Sequence, residues 1–362
     1  MTRSPLYNLQ QRSGAAFVQF FGWEVASTFG DAAAEYHAAR QGAALLDRSY
    51  VGRIRVTGKD ALDLINRLSS NKVDVLPSGT GAGTILPTAK GKVIDLIHLF
   101  ATEDHLLMLT SPQTRQQVAE WIDTYTFSEE IALDDVTEDT AMIALLGPHA
   151  PALLERLTGT SVAHLEPYAS THVLIDGVPA LLLRTDPAGA PGYDLVTSAD
   201  QGEALWRALA DLATGATPIG EAAYNALRVE AGVPRYGWEL NEDVNPWEVN
   251  LHQFISFTKG CYTGQEVILR LYNYKRIQRQ LVGLAFSSAG VEEGATLRQG
   301  DKEAGVVTSV VRHPVTGNAI GLAIVRNAFA APGSELEVVG GKGDAVTTAT
   351  VLGTPARIAV PA

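Results

Sequence analysis

Two stretches of the chain carry the same arrangement of apolar and polar positions. IRVTGKDALDLINRL (Ile54 to Leu68) and IALLGPHAPALLERL (Ile143 to Leu157) align without a gap, sharing Ile at the first position, Gly at the fifth, and the Leu, Arg and Leu of the closing turn. Each opens with a short apolar run, turns at glycine, and continues with apolar residues at helical spacing. The pattern predicts a strand, a turn and an amphipathic helix, twice over. A duplicated unit of this kind implies related α+β halves and a cleft shared between them.

Between the copies lie three strand-like runs: TILP (Thr84 to Pro87), KVIDLIHLFA (Lys92 to Ala101) and HLLMLTS (His105 to Ser111). GTGAGT and TAKGK read as turns, ATED as a hairpin connection, and Gln113 to Thr126 as a helix. After the second copy, HVLIDG, VPALLLRTD and GYDLVTS read as antiparallel strands, followed by a helix over 199–213. A further helix starts near Pro218 and is stopped by Gly232, Val233 and Pro234. From Gln278 onward short apolar strands alternate with Gly, Asn and Pro turns, without helical periods, which predicts a small all-β barrel. The expected organisation is a body over 1–277, built of two interleaved α+β units, and a β-barrel module over 278–362.

Composition narrows the function. With 46% hydrophobic and 19% charged residues, the 362-residue chain has ample material for packed cores. A formal charge of −12 argues against nucleic acid and against anionic membranes as partners. No apolar run approaches the roughly 18 residues of a membrane span, and the N-terminus lacks the apolar core of a secretory signal. Cys261 is the single cysteine, so an internal disulfide is impossible and a reducing, cytoplasmic setting is expected.

Several familiar signatures are missing. GTGAGT lacks the spacing of a dinucleotide fingerprint, TAKGKV is not a P-loop, and no nucleophile elbow occurs. The eight histidines show no metal-ligand spacing, so no metal site is expected, and His98 reads as a core group.

What stands out instead is KGCYTGQE (Lys259 to Glu266). Gly260 and Gly264 leave the Cys261 thiol without bulky neighbours, and Lys259 two residues earlier favours its thiolate. An inert cysteine in a Gly-rich turn is the competing reading. Downstream, Arg270, Lys275, Arg276 and Arg279 form a basic stretch interleaved with Tyr272 and Tyr274. Such a stretch is either a solvated helix face or a rim for an anionic ligand that carries a flat ring. Asp194 in GYD and Arg228 in LRVEAG are a carboxylate that suits a pterin or purine edge and an arginine that suits a carboxylate or ring oxygen.

These segments resemble the glycine-cleavage T-protein family. FGWEVASTFG, ALLDRSYVGRIRVTGKDALDLINRLSSNKV, GKVIDLI, GYD and LRVEAGVPRYGWELNEDVNPWE follow that family's order along nearly the whole chain. The resemblance implies an α+β, three-domain cloverleaf-like fold with a central tetrahydrofolate channel and a C-terminal β-barrel. It implies a pterin-binding role for Asp194, shorter by one methylene than the family's glutamate, and folate contacts from Arg228 and Tyr236. KGCYTGQE is similar to the YgfZ-type branch, folate-dependent maintenance proteins for iron–sulfur clusters. It implies a redox or ligand thiol at Cys261, with Lys259, Arg270, Lys275 and Arg276 guiding the folate tail, and iron–sulfur client proteins or assembly factors as partners.

One departure bears on the choice. The aminomethyltransferases carry two adjacent aspartates, the second being catalytic, where this chain has Asp95 followed by Leu96. The leading expectation is therefore a tetrahydrofolate-binding protein that supports cluster assembly or repair. The alternatives are an aminomethyltransferase or demethylase with Asp95 as its catalytic carboxylate, and a folate-binding module without chemistry.

Overall fold

The computed structural model describes residues 1–189, 191–210, 215–341 and 347–353. The last residues of the helix expected over 199–213 lie outside them. The chain divides into two compact units: Met1–Thr84 with Leu96–Tyr224, and Ile85–Asp95 with the chain from Asn225 onward.

The repeated pattern folds as predicted, both times in the first unit. Strand Gly52–Thr57 leads to helix Ala61–Leu68, and strand Thr140–Leu146 leads to helix Ala150–Thr158. The glycine common to both copies has a steric cause. Gly58 and Gly147 sit at φ of +108° and +103°, and a Cβ there would stand 2.0 Å from the Glu130 carbonyl and 2.5 Å from that of Gly42. Only glycine meets both demands.

A six-stranded sheet organises the first unit, in the order Ser170–Ile175, Val178–Arg184, Gly192–Ser198, Thr140–Leu146, Ala43–Asp47, Ala216–Pro218. Its strands are antiparallel except for the last pair. Side chains alternate between the faces of a sheet. Leu45, Ile143, Leu145, Tyr193 and Leu195 share one face and join a core with Leu153, Leu154, Leu205 and Trp206 from the covering helices. Ala144, which pairs with both Leu46 and Asp194, marks the other face. Alternation thus directs the Asp194 carboxylate away from that core.

A five-stranded sheet has the order Gly81–Pro87, Val93–Ala101, Leu106–Thr110, Gly52–Thr57, Ala132–Asp135. Its first two strands run through the points, after Thr84 and Asp95, where the chain passes from one unit to the other. The expected turn at GTGAGT is instead largely strand. Gly79 and Thr80 already share backbone hydrogen bonds with Ala101 at 2.9 and 2.8 Å.

In the second unit, six antiparallel strands close into a barrel: Arg279–Phe286, Ala319–Arg326, Lys302–Arg312, Val291–Gln299, Glu335–Gly341, Thr347–Gly353. Val282, Leu284, Leu297, Val307, Val325, Leu336 and Val351 fill its interior. The fold is mixed α+β with a closed C-terminal barrel, as the alternation of apolar positions predicts. Among the described residues no helix is long and apolar enough to cross a membrane.

Candidate functional site

In the first unit, Asp194 is fully withdrawn from solvent at the middle of its sheet. One carboxylate oxygen, Oδ2, accepts from Arg48 Nη1 and from the Thr185 hydroxyl at 2.6 Å. Arg48 follows the strand Ala43–Asp47 and is anchored by its backbone N–H, which donates to the Met142 carbonyl at 2.9 Å. Burial works against the Arg48 charge, but Asp194, Tyr224 and Tyr50 outweigh it and raise its pKa above that of a free arginine.

The pair is incomplete. Asp194 Oδ1 and Arg48 Nε are both buried without a hydrogen-bond partner among the described residues. An unsatisfied buried polar group costs about 1–3 kcal/mol, more when charged. One free acceptor and one free donor on the same ion pair suit a ligand edge that offers an N–H beside a C=O. A pterin ring carries such an edge, so these residues fit the folate expected from the sequence.

The Arg48 charge extends further. Desolvation, with Arg48 adding to it, lowers the His98 pKa to about 4, so the imidazole is neutral at pH 7. The ring stacks on Tyr168 with centroids 5.6 Å apart and planes 20° from parallel.

The second unit holds the remaining expected residues. Asp95 is fully buried on the strand Val93–Ala101. Tyr236 is its electrostatic neighbour: desolvation raises the phenol pKa, and the charges of Asp95 and Glu242 add to the rise. Arg228 was expected to face folate, but its guanidinium is engaged within the protein. It donates to Glu239 at 2.9 Å, to the Ser309 hydroxyl at 2.8 Å and to Asn225 at 2.6 Å. The Ser309 hydroxyl in turn donates to Glu239, which closes the network onto the barrel.

Cys261 is exposed just ahead of the helix Gln265–Asn273. The Lys259 ammonium lies 5.1 Å from the ring centroid of the neighbouring Tyr262. Tyr262 is buried, its hydroxyl has no hydrogen-bond partner among the described residues, and desolvation raises its pKa to about 12. Gly264 at φ +75° brings the motif against the Thr88 carbonyl, where a Cβ would sit at 2.4 Å. Arg270 reaches Glu266 at only 3.9 Å, Lys275 is exposed, and the Arg276 guanidinium lies 5.7 Å from the Tyr274 ring centroid. Arg279 instead grips Glu248 at 2.7 Å, and Tyr272 stacks on Trp247 at 4.8 Å.

Sequence reasoning missed Arg48 and Thr185. The only signal was the three arginines, Arg48, Arg53 and Arg55, in the largely apolar run ALLDRSYVGRIRV.

This fold, a duplicated α+β body ending in a closed barrel, is that of the glycine-cleavage T-proteins. Residues 6–259 match the GCVT N-terminal domain and residues 279–356 the glycine cleavage T-protein C-terminal barrel domain, and the chain belongs to this family. It is 33% identical to an aminomethyltransferase of Geobacillus kaustophilus, over 93% of this chain and 94% of the relative. It is 30% identical to one of Desulfitobacterium hafniense, over 94% of each. The crystal structure of the glycine cleavage system aminomethyltransferase T from Bartonella henselae has the same fold, with a TM-score of 0.87 at 23% identity, covering 98% of this chain and 97% of that one. Aminomethyltransferases of this family use tetrahydrofolate, the cofactor expected from the sequence.

Proposed function

We propose that this protein binds tetrahydrofolate through the Asp194–Arg48 pair and acts as a one-carbon transferase of the aminomethyltransferase type. The observation that carries the reading is that, among the described residues, Asp194 Oδ1 and Arg48 Nε are both buried without a hydrogen-bond partner on one ion pair. Asp194 Oδ1 accepts a ring N–H and Arg48 Nε donates to the adjacent carbonyl oxygen. Arg48 and Thr185 hold the carboxylate in place through its other oxygen. Bound tetrahydrofolate supplies the secondary amines that take up a one-carbon unit. Asp95 is the carboxylate this chain offers for proton transfer, in the segment where the family's aspartate pair stands. The family matches and the aminomethyltransferase relatives support this reading over the iron–sulfur one.

Calorimetry with tetrahydrofolate tests it. Wild type binds, and Asp194→Asn binds roughly 10- to 100-fold more weakly, as loss of a hydrogen bond to a charged group implies. Absence of binding by wild type, or equal binding by the variant, overturns the reading.

Support of iron–sulfur clusters remains a second reading, favoured by the exposure of the Cys261 thiol. One thiol does not hold a cluster alone, so this role requires a partner chain. Full rescue of cluster-enzyme activity by Cys261→Ser in a deletion strain removes it.

A further inference from the structure

Resting on the reading of Asp194–Arg48 as the pterin site, we propose that Arg53 is a positioning residue for that site. Its guanidinium fastens the turn that carries Arg48 to the strand on which Arg48 is seated.

Arg53 is fully buried, and every hydrogen bond recorded for its side chain lies within the first unit. Nη1 donates to the Val51 carbonyl at 2.6 Å and Nη2 to the Ser49 carbonyl at 3.1 Å, so both bonds fall on the turn that follows Arg48. Nη2 also donates to the carbonyls of Thr137 and, at 3.2 Å, Thr140, while Nε donates to the Thr140 hydroxyl at 2.7 Å. Those residues lead into the strand Thr140–Leu146, whose Met142 carbonyl accepts the Arg48 N–H. The same two segments meet again where the Met142 N–H donates to the Ser49 hydroxyl at 3.1 Å. One planar fork thus ties together the two pieces of chain between which Arg48 is held.

The chemistry requires arginine. Lysine offers a point charge with three donors and cannot span four carbonyls that lie in different directions. Carbonyls left unpaired in a buried turn would move to find partners, and the backbone of residues 48–51 would move with them. Desolvation lowers the Arg53 pKa to about 10, with Asp47, Asp135 and Asp194 opposing the fall, so the group stays cationic at pH 7. Arg53 thereby adds a second fixed positive charge in reach of Asp194, beyond the one Arg48 supplies by contact.

A structural clamp and a positioning residue differ in their coupling to Arg48. Tetrahydrofolate dissociation constants are measured for wild type, Arg48→Ala, Arg53→Lys and the double variant. The expected result is a weakening of about tenfold by Arg53→Lys in the wild-type background and of less than about twofold in the Arg48→Ala background, since residues coupled through a shared backbone shift do not act additively. Equal weakening in both backgrounds, or none in a folded Arg53→Lys protein, overturns the inference. If Arg53→Lys does not fold, Thr140→Val, which removes the acceptor of Nε together with the hydroxyl's own bond to the Val136 carbonyl and leaves the Arg53 fork on the four carbonyls intact, takes its place with an expected weakening of about threefold and the same cancellation.

A ligand-free measurement separates this inference from the folate reading. Titration of His98 by NMR reports the Arg48 charge directly. Arg53→Lys, or Thr140→Val in its place, shifts the His98 pKa upward, in the same direction as Arg48→Ala. If wild type fails to bind tetrahydrofolate but His98 shifts, the positioning of Arg48 stands and the folate reading falls. If wild type binds but His98 does not move, the positioning falls and the folate reading stands.

Discussion

Arg228 and Glu239 form an ion pair at 2.9 Å in which both side chains are withdrawn from solvent. The pair is bridged by the Ser309 hydroxyl, so helix Glu221–Ala231 and the barrel strand Lys302–Arg312 are joined through charge. Removing one partner leaves the other charge buried and alone, at a cost of about 3–5 kcal/mol. Arg228→Ala is therefore expected to lower stability by that amount in urea unfolding, with Glu239→Ala giving a loss of the same order. If Arg228 instead touched folate in preference to Glu239, the larger effect would fall on affinity.

Asp95 and Asp194 are expected to fail in different ways. Asp194→Asn raises the KM for tetrahydrofolate, whereas Asp95→Asn lowers kcat by about 10²- to 10⁴-fold, the range for general acid–base catalysis. Steady-state kinetics of methylenetetrahydrofolate formation from an aminomethylated carrier separate the two. An Asp95→Asn enzyme with unchanged kcat shows that this carboxylate has no part in proton transfer.

Stability should fall on acidification through His98. Its pKa is lowered in the folded chain to about 4, from 6.5. The unfolded chain therefore binds the proton more tightly, and the folded state is favoured fully above pH 6.5 and progressively less as pH falls towards 4. The loss amounts to at most about 3 kcal/mol. Urea unfolding at intervals between pH 7.5 and 4.5 follows it, and His98→Gln is expected to flatten that part of the profile.

The Cys261 thiol is exposed, and it is the chain's only cysteine. A maleimide is expected to modify one site per chain in the absence of denaturant, at the same stoichiometry as in urea. Modification that appears only after unfolding contradicts the exposed placement.

Gly264 holds the same motif in its turn. Gly264→Ala combines a positive φ with a Cβ placed 2.4 Å from the Thr88 carbonyl. Strain of about 1–3 kcal/mol is expected from the backbone conformation alone. A fall in Tm for Gly264→Ala with none for Gly260→Ala, whose Cβ would meet no atom within 4 Å, checks the assignment.

Local patterns made much of the fold legible. The doubled strand–turn–helix, the hairpin after Ala101 and the barrel strands each rest on periodicity within a dozen residues, and glycine marked the turns because it alone fits them. The TILP half of the strand Gly81–Pro87 was legible, but its beginning at Gly81 escaped notice because the glycines there carry no apolar alternation, and only the backbone ladder reveals it. The site was legible in part. Asp194 could be singled out as a carboxylate on a strand, but its partner Arg48 lies 146 residues away, and no spacing encodes so long a pairing. Arg228 showed the opposite difficulty. Its type and place suited a ligand, whereas Glu239 and Ser309, which occupy it, are recognised only once the barrel strand is packed against the helix.

The closed ring of six barrel strands bears on how the protein behaves in a crowded solution. A strand at the border of an open sheet presents backbone N–H and C=O groups to any passing chain, and this is a common start of edge-to-edge aggregation. In the ring, Thr347–Gly353 pairs with Arg279–Phe286 on one side and Glu335–Gly341 on the other. Among the described residues the module therefore exposes no border strand, and its backbone offers a neighbouring chain no row of unpaired groups on which to add a strand.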